Sequence, residues 1–531
     1  MGTRIIVNAL GLSSYARADL GEGRAAVDHV ADYVTALSEG LEDSAEVLVL
    51  TGPSGGSSTG PPTGAPSPSG PDESSAAAGL PAEWRRLALP ESTEEALLDA
   101  LASESRTGEL LVYCLADTPF LDPEATLRLI SLHRDYFAQF TGADGYPIGL
   151  LPEILDGDLP GQLRRLAREG APAPRELFPI VLRDINAFDV ETLVAEADAR
   201  PLRVELACTD REGFSLCRRF ADRLGTGAEE LAAFVVGTQE RLRTVPAFAM
   251  LQVVSGHSQE VSYLPREALD LEVGQAQREL PTGQFAGLLE ELAALNPGIV
   301  VQISLWGEVA LHSDLPGLVE AVESRGPAGG SWQDGRAPSL LLESSGVGWR
   351  SEDLEWLATR ELRRTRIILD LDAADPEVYR SLRGAGFEEA QRVAARLLEA
   401  HPDALYLRAT RMQENAEDVE RFYREWTERT EHVIVQKYDS FAGALPDRRL
   451  VDISPVERMP CWHLRRDIAI LLDGSVRMCR EDLAGEYPLG NVFRDGVATL
   501  WERNDAFYRR HVEKNYPEIC RSCDEYYTFN F

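Results

Sequence analysis

The chain has 531 residues, 44% of them hydrophobic and 26% charged, with a formal net charge of −34. That length exceeds one ordinary core and predicts about two to four soluble domains, while the acidity argues against a nucleic-acid partner, which needs basic patches. No apolar run approaches a membrane span and the opening MGTRIIVNAL lacks the pattern of a signal peptide, so a cytoplasmic protein with no membrane partner is expected.

In chain order, RIIVNAL reads as a strand, AAVDHVADYVTALSEG as an amphipathic helix and AEVLVLTG as a second strand. The Gly/Pro/Ser tract at residues 51–79 cannot bury apolar surface and reads as a disordered insertion. The strand–turn–helix pattern resumes in GELLVYCLADTPFLDPEATLRLISLHRDYF, so residues 1–240 are expected to form an α/β domain with a parallel sheet and crossover helices.

The segment LLVYCLADTPFLDPEATLRLI resembles the nucleotide-sugar cytidylyltransferase type of nucleotidyltransferase. The resemblance implies a GT-A/Rossmann-like fold in which Asp117, at a strand end, holds a divalent metal near nucleotide phosphates. Ser13, Ser14 and Arg17 stand in the place of that family's opening loop, and Asp210 is a second metal candidate. The family's glycine-rich turn and lysine are missing, so the fold is expected without assured catalysis. A turn residue capping a helix is the competing reading of Asp117.

A second series of strands and helices runs over 247–452, with strands AFAMLQVV, GIVVQISLW, SLLLES, RIILDLD, ALYLRATR and HVIVQKYD. Repeated βα units of this kind predict a partial or full βα barrel, with function at the C-terminal ends of its strands. Residues 453–531 form a third, smaller unit.

That last unit holds four of the seven cysteines: Cys461, Cys479, Cys520 and Cys523. Between the first two lies RRDIAILLDGSVRM, read as two strands around an Asp-Gly turn, and a hairpin there brings Cys461 and Cys479 together. Cys520 and Cys523 form a CxxC, which offers two thiols from one turn. Four thiolates suit a [4Fe–4S] cluster or a structural zinc ion, and spacing alone leaves both open.

CWHLRRDIAILLDGSVRMCRED, PLGNVFRDGVATLW and CRSCDEYY together resemble the SPASM/twitch domain appended to radical S-adenosylmethionine (SAM) enzymes. The resemblance implies one auxiliary [4Fe–4S] cluster on Cys461, Cys479, Cys520 and Cys523, because the chain ends where the fuller SPASM pattern places further cysteines. Tyr526, Tyr527, Phe529 and Phe531 are expected to pack over the cluster or against the barrel.

The barrel then resembles a radical SAM domain. Glu308 in ISLWGEVALH stands where the family meets the amino group of S-adenosylmethionine, Ser344, Ser345 and Gly346 form a similar next strand end, and Asp372, Asp375, Tyr379, Arg383 and Gly384 follow a family pattern. The CxxxCxxC triad is missing: His257, Val261 and Leu264 occupy its positions before Pro265. S-adenosylmethionine is therefore not an expected cofactor, and the barrel is expected to be degenerate. The whole chain is identified as a member of the spirochaete-type SPASM-domain protein family, with a redox partner or a modified protein or peptide as the expected class of partner. A nucleotidyltransferase, an atypical radical SAM enzyme and a zinc-stapled scaffold are the alternatives.

Overall fold

TRIIVN is buried along its whole length, the mark of a strand covered on both faces. It forms β1 (Thr3–Asn8), the centre of a sheet completed by β2 (Ala45–Thr51), β3 (Arg85–Ala88), β4 (Leu110–Leu115), β5 (Phe140–Asp144), β6 (Glu153–Asp156) and β7 (Val190–Val194). The computed structural model describes residues 2–41, 43, 45–53, 79–269, 271–274, 276, 278–323 and 337–528. Most of the insertion read as disordered, residues 54–78, thus lies outside the described residues, as do Phe529 and Phe531.

The sheet order is β3-β2-β1-β4-β6-β5-β7. All its pairings are parallel except those of β6, which runs antiparallel to both β4 and β5. The wholly parallel sheet expected from the sequence is therefore mixed. Only the loop 145–152 separates β5 from β6, and a parallel return needs a longer crossover. This Rossmann-like sheet belongs to a compact unit, Met1–Thr244.

The second unit, Val245–Phe531, is built on one nine-stranded sheet. Its parallel run comprises β8 (Phe248–Leu251), β11 (Val300–Gln302), β12 (Ser339–Ser344), β13 (Thr365–Asp370), β14 (Leu405–Arg411) and β15 (Val433–Lys437). Two short strands, β9 (Gly256–His257) and β10 (Glu272–Val273), pair apart from it. All six strands read from the sequence are present, and the helices between them make a partial βα barrel.

Alternation along each strand divides the two faces. Ala249, Leu251, Val301, Leu340, Leu342, Ile367 and Leu369 face the helices, while Phe248, Met250, Leu341 and Ile368 share the opposite, inner cluster. The C-terminal part extends the same sheet. β16 (Asp467–Ile470) lies parallel to β8, and β17 (Ser475–Arg477) and β18 (Pro488–Asn491) continue antiparallel. Ala469 and Leu471 join the inner cluster, so the hairpin of the last unit closes onto the barrel's first strand. Among the described residues, no helix is long and apolar enough to cross a membrane.

Candidate metal centre

The β16–β17 hairpin turns at Asp473-Gly474, where Gly474 takes φ +81° and its amide donates to Leu471 O at 2.8 Å. The hairpin carries Cys479 just past its second strand. Cys461 caps the short helix Trp462–Arg466 that leads into β16, and Cys520 lies on the helix Glu518–Ser522 with Cys523 directly after it. All four thiols are free. Cys461 and Cys520 are buried in one cluster with Leu464, Met478, Tyr508 and Tyr526, and Cys479 packs against it. Tyr527 packs there too, which puts both tyrosines of the tail against the cysteines.

Burial pushes the Cys461 thiol up to about 12 and Cys520 up to about 11, and it raises Cys479 and Cys523 well above an ordinary thiol. Negative neighbours add to the effect. Glu481 comes first, opposing ionisation of both Cys479 and Cys523; Cys461 and Cys520 then oppose that of Cys479, and Cys461 and Cys479 that of Cys523. Backbone amides pull the other way: Glu525 N–H donates to Cys523 Sγ at 3.4 Å, and amides of Leu464 and Glu481 favour the thiolates of Cys461 and Cys479. Four free thiols, three of them met by amide donors, form a donor set that suits an iron–sulfur or zinc centre, whose positive charge would ionise them. Among the described residues, no group of three or more His, Cys, Asp or Glu side chains is placed so that it could hold a metal ion.

Around the thiols runs a buried network of charge. Arg480 NH2 donates to Asp439 at 3.0 Å and to Glu525 at 3.1 Å, and its Nε to Glu481 at 2.9 Å. Lys437, at the end of β15, pairs with Glu525 and lies 3.1 Å from Asp524. Burial alone would raise Glu525, but Arg480 and Lys437 outweigh it and hold this carboxylate below its usual range. Burial raises Glu481, and Asp439 adds to the rise. The positions of Arg480, Glu481, Asp524 and Glu525 beside the cysteines were visible in the sequence, but their convergence on β15 was not.

The barrel's inner face turns polar toward the strand ends, where Arg408 bridges Asp370 at 2.6 Å and Glu343 at 2.8 Å. Here lie the three positions that replace the triad. Val261 is buried, and Leu264 packs on Leu269, Leu271 and Leu483. Burial brings His257 down to about 4, and its Nδ1 accepts from Gln259 N–H at 3.2 Å. Val261 and Leu264 have no donor atom to offer iron.

Glu308 is 2% exposed and its carboxylate is fully occupied. It accepts from Ser344 Oγ and Ser345 Oγ, each at 2.6 Å, from Ser345 N–H at 2.8 Å and from Ala310 N–H at 3.2 Å. Burial raises it and these donors oppose the rise. Asp372, at φ +60°, pairs with Arg383 at 2.5 Å, and Tyr263 donates to the same carboxylate. Asp375 caps the helix Pro376–Arg383.

Asp117 lies just beyond β4 and is 3% exposed. Both its oxygens accept from Arg175, each at 2.9 Å, and Arg175 also faces Glu205 at 3.6 Å. Arg175 was missed because no spacing rule ties it to a residue 58 positions away. Ser13 Oγ donates to Cys208 O at 2.8 Å, and Arg17 reaches Leu12 O at 3.4 Å. Asp210 caps the helix Arg211–Arg219 through Gly213 N–H. The structure thus packs Cys461, Cys479 and Cys520 in one cluster, with Cys523 three residues on from Cys520, and among the described residues it does not gather Asp117 and Asp210 into a metal site.

Residues 461–524, which include all four cysteines, match the SPASM family, an iron–sulfur cluster-binding domain. An uncharacterised protein of Treponema pallidum (strain Nichols) is 35% identical over 368 residues, covering 67% of this chain and 98% of the relative. Among solved structures, Streptococcus suis SuiB bound to its precursor peptide SuiA shares 13% identity, with a TM-score of 0.43 over 56% of this chain and 75% of SuiB. A cytidylyltransferase from Leptospira borgpetersenii shares 13% identity, with a TM-score of 0.34 over 45% of this chain and 95% of that one. Given the SPASM match over the cysteines and a relative matched along nearly its whole length, the chain belongs to the spirochaete-type SPASM-domain protein family.

Proposed function

We propose that Cys461, Cys479, Cys520 and Cys523 hold one [4Fe–4S] cluster, and that the protein acts as an iron–sulfur protein rather than as a radical SAM enzyme. The observation that supports this most is the group of four free, mutually interacting thiols inside the matched SPASM range. Such a cluster would supply one-electron transfer. The chain's own residues bury it: Tyr508 and Tyr526 wall the thiols from water, and amides at residues 464, 481 and 525 stabilise thiolate charge. We assign no cleavage of S-adenosylmethionine to the barrel, since two of its three triad positions carry aliphatic side chains.

A cytoplasmic setting belongs to the same proposal, because seven free thiols suit a reducing compartment. So does the division into 1–240, 247–452 and 453–531, with a redox partner or a modified peptide as the partner class. Anaerobic purification followed by iron, sulfide and zinc analysis tests the cluster. A second reading, nucleotidyl transfer, draws on the position of Asp117 at the end of a central strand beside the reversed β6. It requires the Arg175 pair to open. Metal-dependent CTP binding that is lost in Asp117→Ala would support it, and no binding would leave the sheet as a scaffold.

A further inference from the structure

The segment just before Cys461 carries a guanidinium without an anion. Arg458 stacks on two tyrosines, its Cζ 4.7 Å from the Tyr516 ring centroid and 4.3 Å from that of Tyr526. Its Nε and one terminal nitrogen are buried with no hydrogen-bond partner, and among the described residues no carboxylate pairs with it. Leaving two buried guanidinium nitrogens unpaired is costly unless something nearby carries negative charge. What lies nearby is the cysteine cluster, since Tyr526 belongs to one packed cluster with Cys461 and Cys520, and Tyr516 packs against it. His511, packed edge-on against Tyr516 with both ring nitrogens unpartnered, is held down to about 3 by burial and stays neutral, so it does not share this role.

We infer that Arg458 is a positioning residue for the metal centre: its guanidinium, clamped between Tyr516 and Tyr526, balances the negative charge of four thiolates and their cluster and sets the reduction potential. The inference rests on the proposed cluster. The two aromatic faces keep the cation beside the sulfurs without neutralising it, which a carboxylate partner would do. One-electron reduction adds a negative charge, so a fixed cation favours the reduced state. Removing it makes reduction harder.

The test compares anaerobically reconstituted full-length protein with Arg458→Gln and Arg458→Lys, reading iron and sulfide content, far-UV circular dichroism and the midpoint potential in a dithionite titration. Arg458→Gln is expected to shift the oxidised-to-reduced ratio at fixed potential by about tenfold toward oxidised, which is about 59 mV for one electron. Arg458→Lys is expected to stay near the wild type. If Arg458→Gln folds but loses its iron while Arg458→Lys retains it, the assignment is equally supported. A loaded Arg458→Gln with an unchanged potential overturns it, as does equal loss of iron from both variants. Wild-type protein that takes up no iron and sulfide overturns the cluster itself, and this inference with it.

Discussion

Replacing Arg175 leaves the Asp117 carboxylate without its cation, and replacing Arg383 does the same to Asp372, but the two losses differ in size. Asp372 and Arg383 are both almost wholly buried, at 0% and 3% side-chain exposure. Arg383→Met should therefore cost about 3–5 kcal/mol, the penalty for stranding a buried charge. The Arg175 side chain is 41% exposed, so water can take over part of its role and Arg175→Met should cost about 1 kcal/mol. Urea unfolding of the two variants checks this ordering, and equal losses would contradict it. Glu308→Gln places an amide against donors that all point at a carboxylate, and a loss of about 1–3 kcal/mol is expected in the same assay. Glu308 and Asp117 were singled out from sequence for ligands, yet their occupants are protein groups. A strand-end position is legible in one sequence; the partner that fills it, 36 or 58 residues away, is not.

Elements hold the site through their turns and neighbours. A Cβ on Gly474 would stand 2.3 Å from the Phe493 ring, and the positive φ there disfavours other residues. Gly474→Ala should cost about 1 kcal/mol or more and lower iron retention, because this turn sets the register that places Cys479. Circular dichroism melts and iron content read both effects. In the first unit, His133 on the helix Pro123–Asp135 faces β5, its Nδ1 at 2.9 Å from Thr141 Oγ1. Burial depresses it to about 4. A base whose folded value lies below its unfolded value of 6.5 contributes stability that is lost as pH falls through that window. Between pH 7 and pH 5 the wild type should lose about 2 kcal/mol more than His133→Gln, as read by urea unfolding at each pH. The Asp-Gly hairpin was readable from sequence because its turn chemistry is local. The parallel pairing of β16 with β8 was not, since DIAI alternates in the same way whether or not a second strand lies beside it.

At the scale of the whole molecule, the net charge of −34 opposes compactness. Raising salt from about 10 mM to about 150 mM should therefore raise the melting temperature, because screening shortens the reach of that repulsion. The α/β class and the six barrel strands were legible, since each rests on periodicity, and so was the packing of Cys461, Cys479 and Cys520 from distant segments, which rests on short motifs. The reversed β6 and the charge network of Lys437, Arg480 and Glu525 depend on the tertiary return of the chain, which periodicity does not encode. The central claim is that four cysteines hold one cluster. Iron, acid-labile sulfide and zinc measured on anaerobically purified protein, wild type beside Cys520→Ser/Cys523→Ser, tests it most directly. The account predicts about four irons and about four sulfides per wild-type chain, both lost in the variant. One zinc per chain without sulfide would contradict it.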